Sequence, residues 1–177
     1  MLAPFAPFAP SLPLELRPIT AHDQDFLDTL YASSRDDLLA LDVAPAVLAS
    51  LISMQQYAQQ TGIQHNYPNA QHHLVQLHHQ PVGRWVIDWQ GVDAAMQSGH
   101  TVVRVVRVVD ICIAPSHRRR GIARWLLQAL QEQARQRQAS ISLAVSQSNT
   151  AAQLLYQSLG FLVVNQDIVQ QQRVWQS

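Results

Sequence analysis

The stretch Ile111-Cys112-Ile113-Ala114-Pro115-Ser116-His117-Arg118-Arg119-Arg120-Gly121-Ile122-Ala123-Arg124 decides how the chain is read. An apolar strand ends at Pro115, a short basic loop follows, and Gly121 opens a helix with the apolar stripe Ile122, Leu126, Leu130 and Ala134. A helix N-terminus reached through such a loop presents unpaired backbone N–H groups, with the positive end of the helix dipole behind them. That is an anion site, and phosphate groups suit it best. Gly121 lets the backbone approach a ligand closely, because no Cβ stands in the way. Alone, the stretch would equally suit a solvated arginine cluster capping a surface helix.

It does not stand alone. The loop Arg118-Arg119-Arg120-Gly121-Ile122-Ala123 resembles the pyrophosphate motif of the GNAT superfamily of acyl-CoA N-acyltransferases, Gln/Arg-x-x-Gly-x-Gly/Ala. The apolar run into Pro115 also looks like that family's strand. Downstream, Asn149-Thr150-Ala151-Ala152-Gln153-Leu154-Leu155-Tyr156-Gln157-Ser158-Leu159-Gly160-Phe161 is similar to its second signature, Asn-x-x-Ala-x-x-Leu-Tyr-x-x-x-Gly-Phe. The specific match covers roughly Ile111–Phe161, and Leu16-Arg17-Pro18-Ile19-Thr20 resembles a common family opening. The resemblance implies the GNAT fold, an α/β arrangement with a mixed, mostly antiparallel central sheet of about seven strands and about four flanking helices.

The patterning agrees with that layout. Leu14–Arg17 alternates like a strand, and Thr20 or Asp23 suits the cap of a helix through Ser34, with Phe26, Leu27 and Leu30 on its buried face. Pro45 suits the first turn of a second helix, expected to end near Gln60 before Gly62. Tyr67-Pro68-Asn69 marks a loop. Residues 72–79 and 82–89 read as a hairpin turning at Gln80-Pro81. Gly91–Gly99 reads as turn or loop, and the β-branched run Thr101–Ala114 as a central strand. A helix from Gly121 to Arg137, a strand at Ser140–Ser146, a helix at Asn149–Leu159 and strands at Phe161–Val164 and Ile168–Trp175 complete the chain. Residues 1–11 form an Ala/Pro/Phe tail whose prolines favour a flexible extended segment, and residues 12–177 are expected to form a single GNAT domain.

Composition narrows the function classes. A chain of 177 residues with 47% hydrophobic content can bury a core. Its net charge is zero, which gives no reason to expect a nucleic acid as partner or an anionic membrane. The three adjacent arginines could be read as a nucleic-acid patch, but no wider basic surface accompanies them. One cysteine excludes an internal disulfide and fits a reducing cytoplasm. No apolar run approaches the ~20 residues needed to cross a bilayer, and the N-terminus lacks the basic start of a signal peptide. The expected state is a cytoplasmic monomer or homodimer.

Acetyl transfer from a thioester to an amine needs an anchored donor, a polarised carbonyl, a neutral amine and a proton for the leaving thiolate. The resemblance implies acetyl-CoA as co-substrate and direct attack by a primary amine. Cofactor-binding positions are then Ile111, Cys112 and Ile113 through their backbone, Arg118, Arg119, Arg120, Gly121, Ile122, Ala123 and Arg124 at the pyrophosphate, and Asn149. At least one of the three adjacent arginines is expected only to face solvent. Tyr156, seven residues after Asn149 on the same helical face, corresponds to the family's usual general acid. A phenol with a pKa near ~10 can protonate a departing thiolate.

The general base has no motif. Family members that acetylate protein N-termini often carry a Glu five residues before the Asn, where this chain has Ala144. Asp110 is the best available carboxylate, and a solvent-facing strand position is its plainer reading. Cys112 lacks an activating partner, so a covalent acyl-cysteine route is disfavoured. Eight histidines invite a metal, yet neighbours such as His72-His73 and His78-His79 would point to opposite faces of a strand, and no spacing suits zinc. No metal is expected. His65, Tyr67 and Arg35-Asp36-Asp37 are weaker substrate-pocket candidates. Residues 35–100 carry no motif, and in this superfamily substrate choice largely resides there. Antibiotic, polyamine, amino acid and peptide N-terminus all stay open as acceptors, and a non-catalytic acyl-CoA-binding module is the alternative.

Overall fold

The computed structural model describes residues 13–89 and 104–177. The tail at 1–11, the expected turn at Gly91–Gly99 and the first residues of the strand expected from Thr101 lie outside the described residues. In chain order the elements are β1 (Leu14–Pro18), α1 (Gln24–Ala32), α2 (Asp36–Leu39), α3 (Pro45–Asn66), β2 (Gln71–Leu77), β3 (Gln80–Asp88), β4 (Arg104–Ile113), α4 (Ile122–Gln136), β5 (Ala139–Ser146), α5 (Thr150–Ser158), β6 (Leu162–Gln166) and β7 (Gln170–Trp175). The strands form a seven-stranded mixed sheet in the order β1-β2-β3-β4-β5-β7-β6. β4 and β5 run parallel, while β1 with β2, β5 with β7 and β6 with β7 run antiparallel. This is the α/β, mostly antiparallel GNAT arrangement that the motifs implied.

The chain folds as two compact units, one of Leu14–Val86 with Asp110–Arg120, the other of Ile87–Val109 with Gly121–Ser177. In the first, β1 leads into a helix start held by charge. Thr20 donates from both its backbone N and its Oγ1 to Asp23 Oδ2, at 2.8 and 2.9 Å. The Arg17 guanidinium closes on the same carboxylate with bonds of 2.8 and 2.5 Å. These bonds hold the Asp23 carboxyl well below the usual carboxylate range, the Arg17 bond contributing most. The core of this unit centres on Leu74, Val75, Val82 and Trp85, none of which reaches solvent.

Three sequence expectations change here. α3 does not stop before Gly62 but continues to Asn66. A glycine inside a helix costs only ~1 kcal/mol, and the buried Ile63 anchors the added turn. The short α2 was not anticipated. The hairpin turns at His78-His79 rather than Gln80-Pro81, with φ of +51° and +62° at the two histidines. Two positive-φ residues match the twist of the flanking strands, and Pro81 is tolerated near the start of β3. The strand argument about His78-His79 therefore does not apply; they sit in a turn, with His79 Nδ1 3.1 Å from Glu15 Oε2.

In the second unit, α4 buries Ile122, Leu126, Leu127, Leu130, Gln131 and Ala134, the expected stripe with two additions. The core also takes Ile141, Leu143 and Phe161. β4 pairs with β5 from Arg104↔Ala139 to Val108↔Leu143. Gln131 Nε2 donates to Leu159 O at 2.8 Å, tying α4 to the end of α5.

Candidate functional site

The basic loop has the backbone its sequence asked for. Arg119 and Gly121 both take positive φ, +64° and +81°. For a non-glycine residue this left-handed conformation is uncommon, and it re-aims the flanking N–H groups. Gly121 is the N-cap of α4, no side chain caps the helix, and its first turn holds no acidic residue. A Cβ placed on Gly121 would meet nothing within 4 Å, so the space beside the glycine is open. An uncapped, acid-free helix start with open space beside it fits the phosphates of an acyl-CoA.

The arginines divide by partner. Arg118 Nε donates to Ile113 O at 3.0 Å and its NH2 to Ser33 O at 3.2 Å, fastening the loop to the end of β4. Arg124 NH2 donates to Ser158 Oγ at 2.8 Å, fastening the first turn of α4 to α5. Arg119 and Arg120 are exposed. Two side chains thus shape the loop and two stand available for an anion. Ile122 is buried and Ala123 half-buried, so only their backbone N–H groups can serve a ligand.

On β4, Asp110 and Cys112 share a face, two residues apart. They line a small pocket with Arg84 of β3, Gln59 of α3, Ser34, and Leu27, Leu30 and Tyr31 of α1, enclosing about 30 Å³ of water-sized space. Asp110 Oδ2 lies 3.6 Å from Arg84 Nε, and the aspartate side chain keeps 21% of its surface exposed. Burial pushes the Asp110 carboxyl above the usual range, against the opposing pull of Arg84 and of the Ile111 N–H. Burial also pushes the Cys112 thiol up to about 11, reinforced by the Asp110 charge. A thiol so protonated is a poor nucleophile. Ile111 is half-buried and Ile113 buried, as in an ordinary strand.

The second signature forms α5. Asn149 is its N-cap, with Oδ1 accepting from Ala152 N at 3.1 Å. Tyr156 is buried in the same helix, its ring 5.8 Å from that of Phe161 at 59°. The Phe161 N–H donates to Tyr156 O at 3.0 Å. Tyr156 and the chain turn at Gly160-Phe161 are thus packed as one piece, which explains why the signature spans both.

Other sequence candidates lie elsewhere. His65 belongs to α3 rather than to a loop, and neither it nor Tyr67 lines the pocket. Arg35 turns its guanidinium to Asp37 at 2.6 and 2.9 Å and to the Tyr31 hydroxyl at 2.7 Å. Among the described residues no three His, Cys, Asp or Glu side chains form a metal-binding group. No described helix is long and apolar enough to cross a membrane. Tyr31, Gln59 and Arg84 were not foreseen. The one available signal was Gly83, a glycine inside a strand run, which marks close backbone approach.

Comparison with known proteins agrees with this geometry. The model of the acetyltransferase (GNAT) family matches residues 45–161, and the chain belongs to that family. No curated protein matches it by sequence. Among solved structures it is similar to the PaiA N-acetyltransferase of Thermoplasma acidophilum in complex with coenzyme A, at 14% identity and TM-score 0.63, over 93% of this chain and 99% of that one. An acetyltransferase from Thermus thermophilus gives 19% identity and TM-score 0.61 over 93% and 97%. Arabidopsis thaliana NAA60 in complex with a bisubstrate analogue gives 14% and 0.59 over 92% and 97%. At such identities the likeness shows the fold.

Proposed function

We propose that this protein is an N-acetyltransferase that moves an acetyl group from acetyl-CoA to a primary amine by direct attack, with residues 12–177 acting as one catalytic domain. The observation that carries the reading is the backbone of the basic loop. Left-handed Arg119 and Gly121 lead into a helix start without a side-chain cap. Backbone N–H groups from Arg119 to Arg124 would hold the pyrophosphate, with the exposed Arg119 and Arg120 adding charge. The backbone of Ile111, Cys112 and Ile113 would lie along the pantetheine arm, and Asn149 would add a contact while capping α5.

Acetyl-CoA supplies the acetyl group as a thioester, whose chemistry needs no metal. Asp110 accepts a proton from the acceptor ammonium, for which a raised carboxyl pKa is suited. The neutral nitrogen forms the C–N bond as the C–S bond breaks, Tyr156 gives its phenolic proton to the departing thiolate, and the nitrogen's remaining extra proton goes to solvent, which reprotonates the phenolate. The high Cys112 pKa favours direct attack over an acyl-cysteine. The proposed setting is the cytoplasm, with the protein acting as a monomer or homodimer.

The test is thiol release from acetyl-CoA across a panel of amines, with the acetylated product identified by mass. Tyr156→Phe is expected to lower kcat by about ten- to ten-thousand-fold while acetyl-CoA affinity stays at the wild-type level. Tight acetyl-CoA binding with no thiol release for any amine would identify a non-catalytic acyl-CoA-binding module instead.

A further inference from the structure

Arg84 differs from Arg17, Arg35 and Arg118, the other partly or fully bonded arginines of its unit. Arg17 closes a fork on Asp23, Arg35 on Asp37, and Arg118 on the carbonyls of Ile113 and Ser33. The Arg84 side chain is only 12% exposed, yet its Nε is buried without a hydrogen-bond partner among the described residues. Asp110 Oδ2 stands 3.6 Å away, beyond hydrogen-bond reach. A guanidinium has five donors in a planar fork, and leaving its buried Nε–H unbonded is costly. Arg84 lines the pocket together with Asp110, Tyr31, Ser34 and Gln59.

We propose that Arg84 binds a carboxylate of the acceptor, so that the amine substrate is a free α-amino acid. This inference rests on the acetyltransferase reading and names the substrate class of the same site. Three observations support it. The guanidinium fork matches a planar carboxylate in two parallel bonds. Arg84 and Asp110 make the pocket wall a neighbouring plus and minus, complementary to a zwitterion whose ammonium and carboxylate sit one carbon apart. The pocket is small and partly open, so an acceptor's head group can enter it while any side chain extends outward.

The same chemistry argues against the other acceptors. A polyamine or aminoglycoside would bring further positive charge toward Arg84. A simple amine would leave the guanidinium unbonded. A peptide N-terminus offers a carbonyl where an amino acid offers a charge. In the transfer itself the α-ammonium loses one proton to Asp110, the nitrogen forms the C–N bond as the C–S bond breaks, the thiolate leaves with a proton from Tyr156, and the nitrogen's second proton goes to solvent, which reprotonates the phenolate. Arg84 stays charged throughout and exchanges no proton.

The test uses the full chain with acetyl-CoA and compares L-amino acids, their α-amides and their decarboxylated amines by kcat/KM for thiol release. Free acids are expected to exceed their amides by at least about tenfold, since a site built to bond a group rejects analogues that lack it. Arg84→Gln should bring the acid-to-amide ratio toward one, mainly through acceptor KM. Arg84→Lys, which keeps the charge beside Asp110 and loses the fork, should retain part of the preference. Circular dichroism and acetyl-CoA KM establish that both variants are folded. Amides or decarboxylated amines turned over as well as acids, or an unchanged ratio in Arg84→Gln, would overturn this inference and leave the acetyltransferase reading intact. Absence of thiol release with every acceptor, despite bound acetyl-CoA, would overturn both.

Discussion

Two candidate regions, the start of α4 and the pocket beside Asp110, are built from different materials. At the start of α4 the candidate groups are backbone N–H groups, at a helix start without a side-chain cap. In the unit of Leu14–Val86 and Asp110–Arg120 they are side chains, Tyr31, Gln59, Arg84 and Asp110, brought together from α1, α3, β3 and β4. A backbone cradle binds the phosphates that every acyl-CoA carries and does not discriminate among acyl acceptors. A pocket of converging side chains can be altered one residue at a time. A constant donor and a variable acceptor are what this division permits.

The largest expected effect breaks the backbone half. Gly121→Asp forces a side chain onto a residue at φ +81° and sets a carboxylate where phosphate should bind. Calorimetric binding of acetyl-CoA should disappear with the circular dichroism spectrum unchanged, whereas Gly121→Ala, which adds only backbone strain, should weaken binding less. Acetyl-CoA affinity left intact in Gly121→Asp would remove the loop from the donor site.

Next in size is the side-chain half. Burial holds the Asp110 carboxyl above the ordinary range, and only its deprotonated form can act as base. The rate should therefore fall as pH drops through that raised value. Asp110→Asn should lower kcat/KM by about a hundredfold or more and abolish this acid limb, with acetyl-CoA binding retained. A variant that keeps both rate and limb would assign the base elsewhere.

The smallest effect tests the strand pairing that carries Arg84 to Asp110. A Cβ on Gly83 would sit 2.6 Å from Cys112 O and 2.7 Å from Ile113 Cδ1. The first of these is backbone and cannot swing aside. Gly83→Ala should cost about 1–3 kcal/mol in urea unfolding and raise acceptor KM more than acetyl-CoA KM. Equal effects on both substrates would show that the two halves are not separable in this way.

What was legible follows from where the information sits. Strand and helix periodicity placed the strands and the long helices, because each follows from the alternation of its own residues. Errors fell where a local rule competed with packing. Gly62 signals a helix end, yet buried Ile63 carries α3 past it. Pro81 signals a turn, yet the histidines before it take the positive φ values.

The sequence by itself determined the family and the form of the basic loop. Phosphate binding at a helix N-terminus depends on contiguous residues, so Arg118–Arg124 is readable as written, and so is the capped helix from Asn149 to Tyr156. The pocket proposed for the acceptor was decided only by tertiary structure. Arg84, Gln59 and Tyr31 are unremarkable in their own segments, and they acquire meaning when β3, α3 and α1 bring them against Asp110. Even the state of Asp110 belongs to the fold, since its shift comes first from burial, which no run of neighbouring residues encodes.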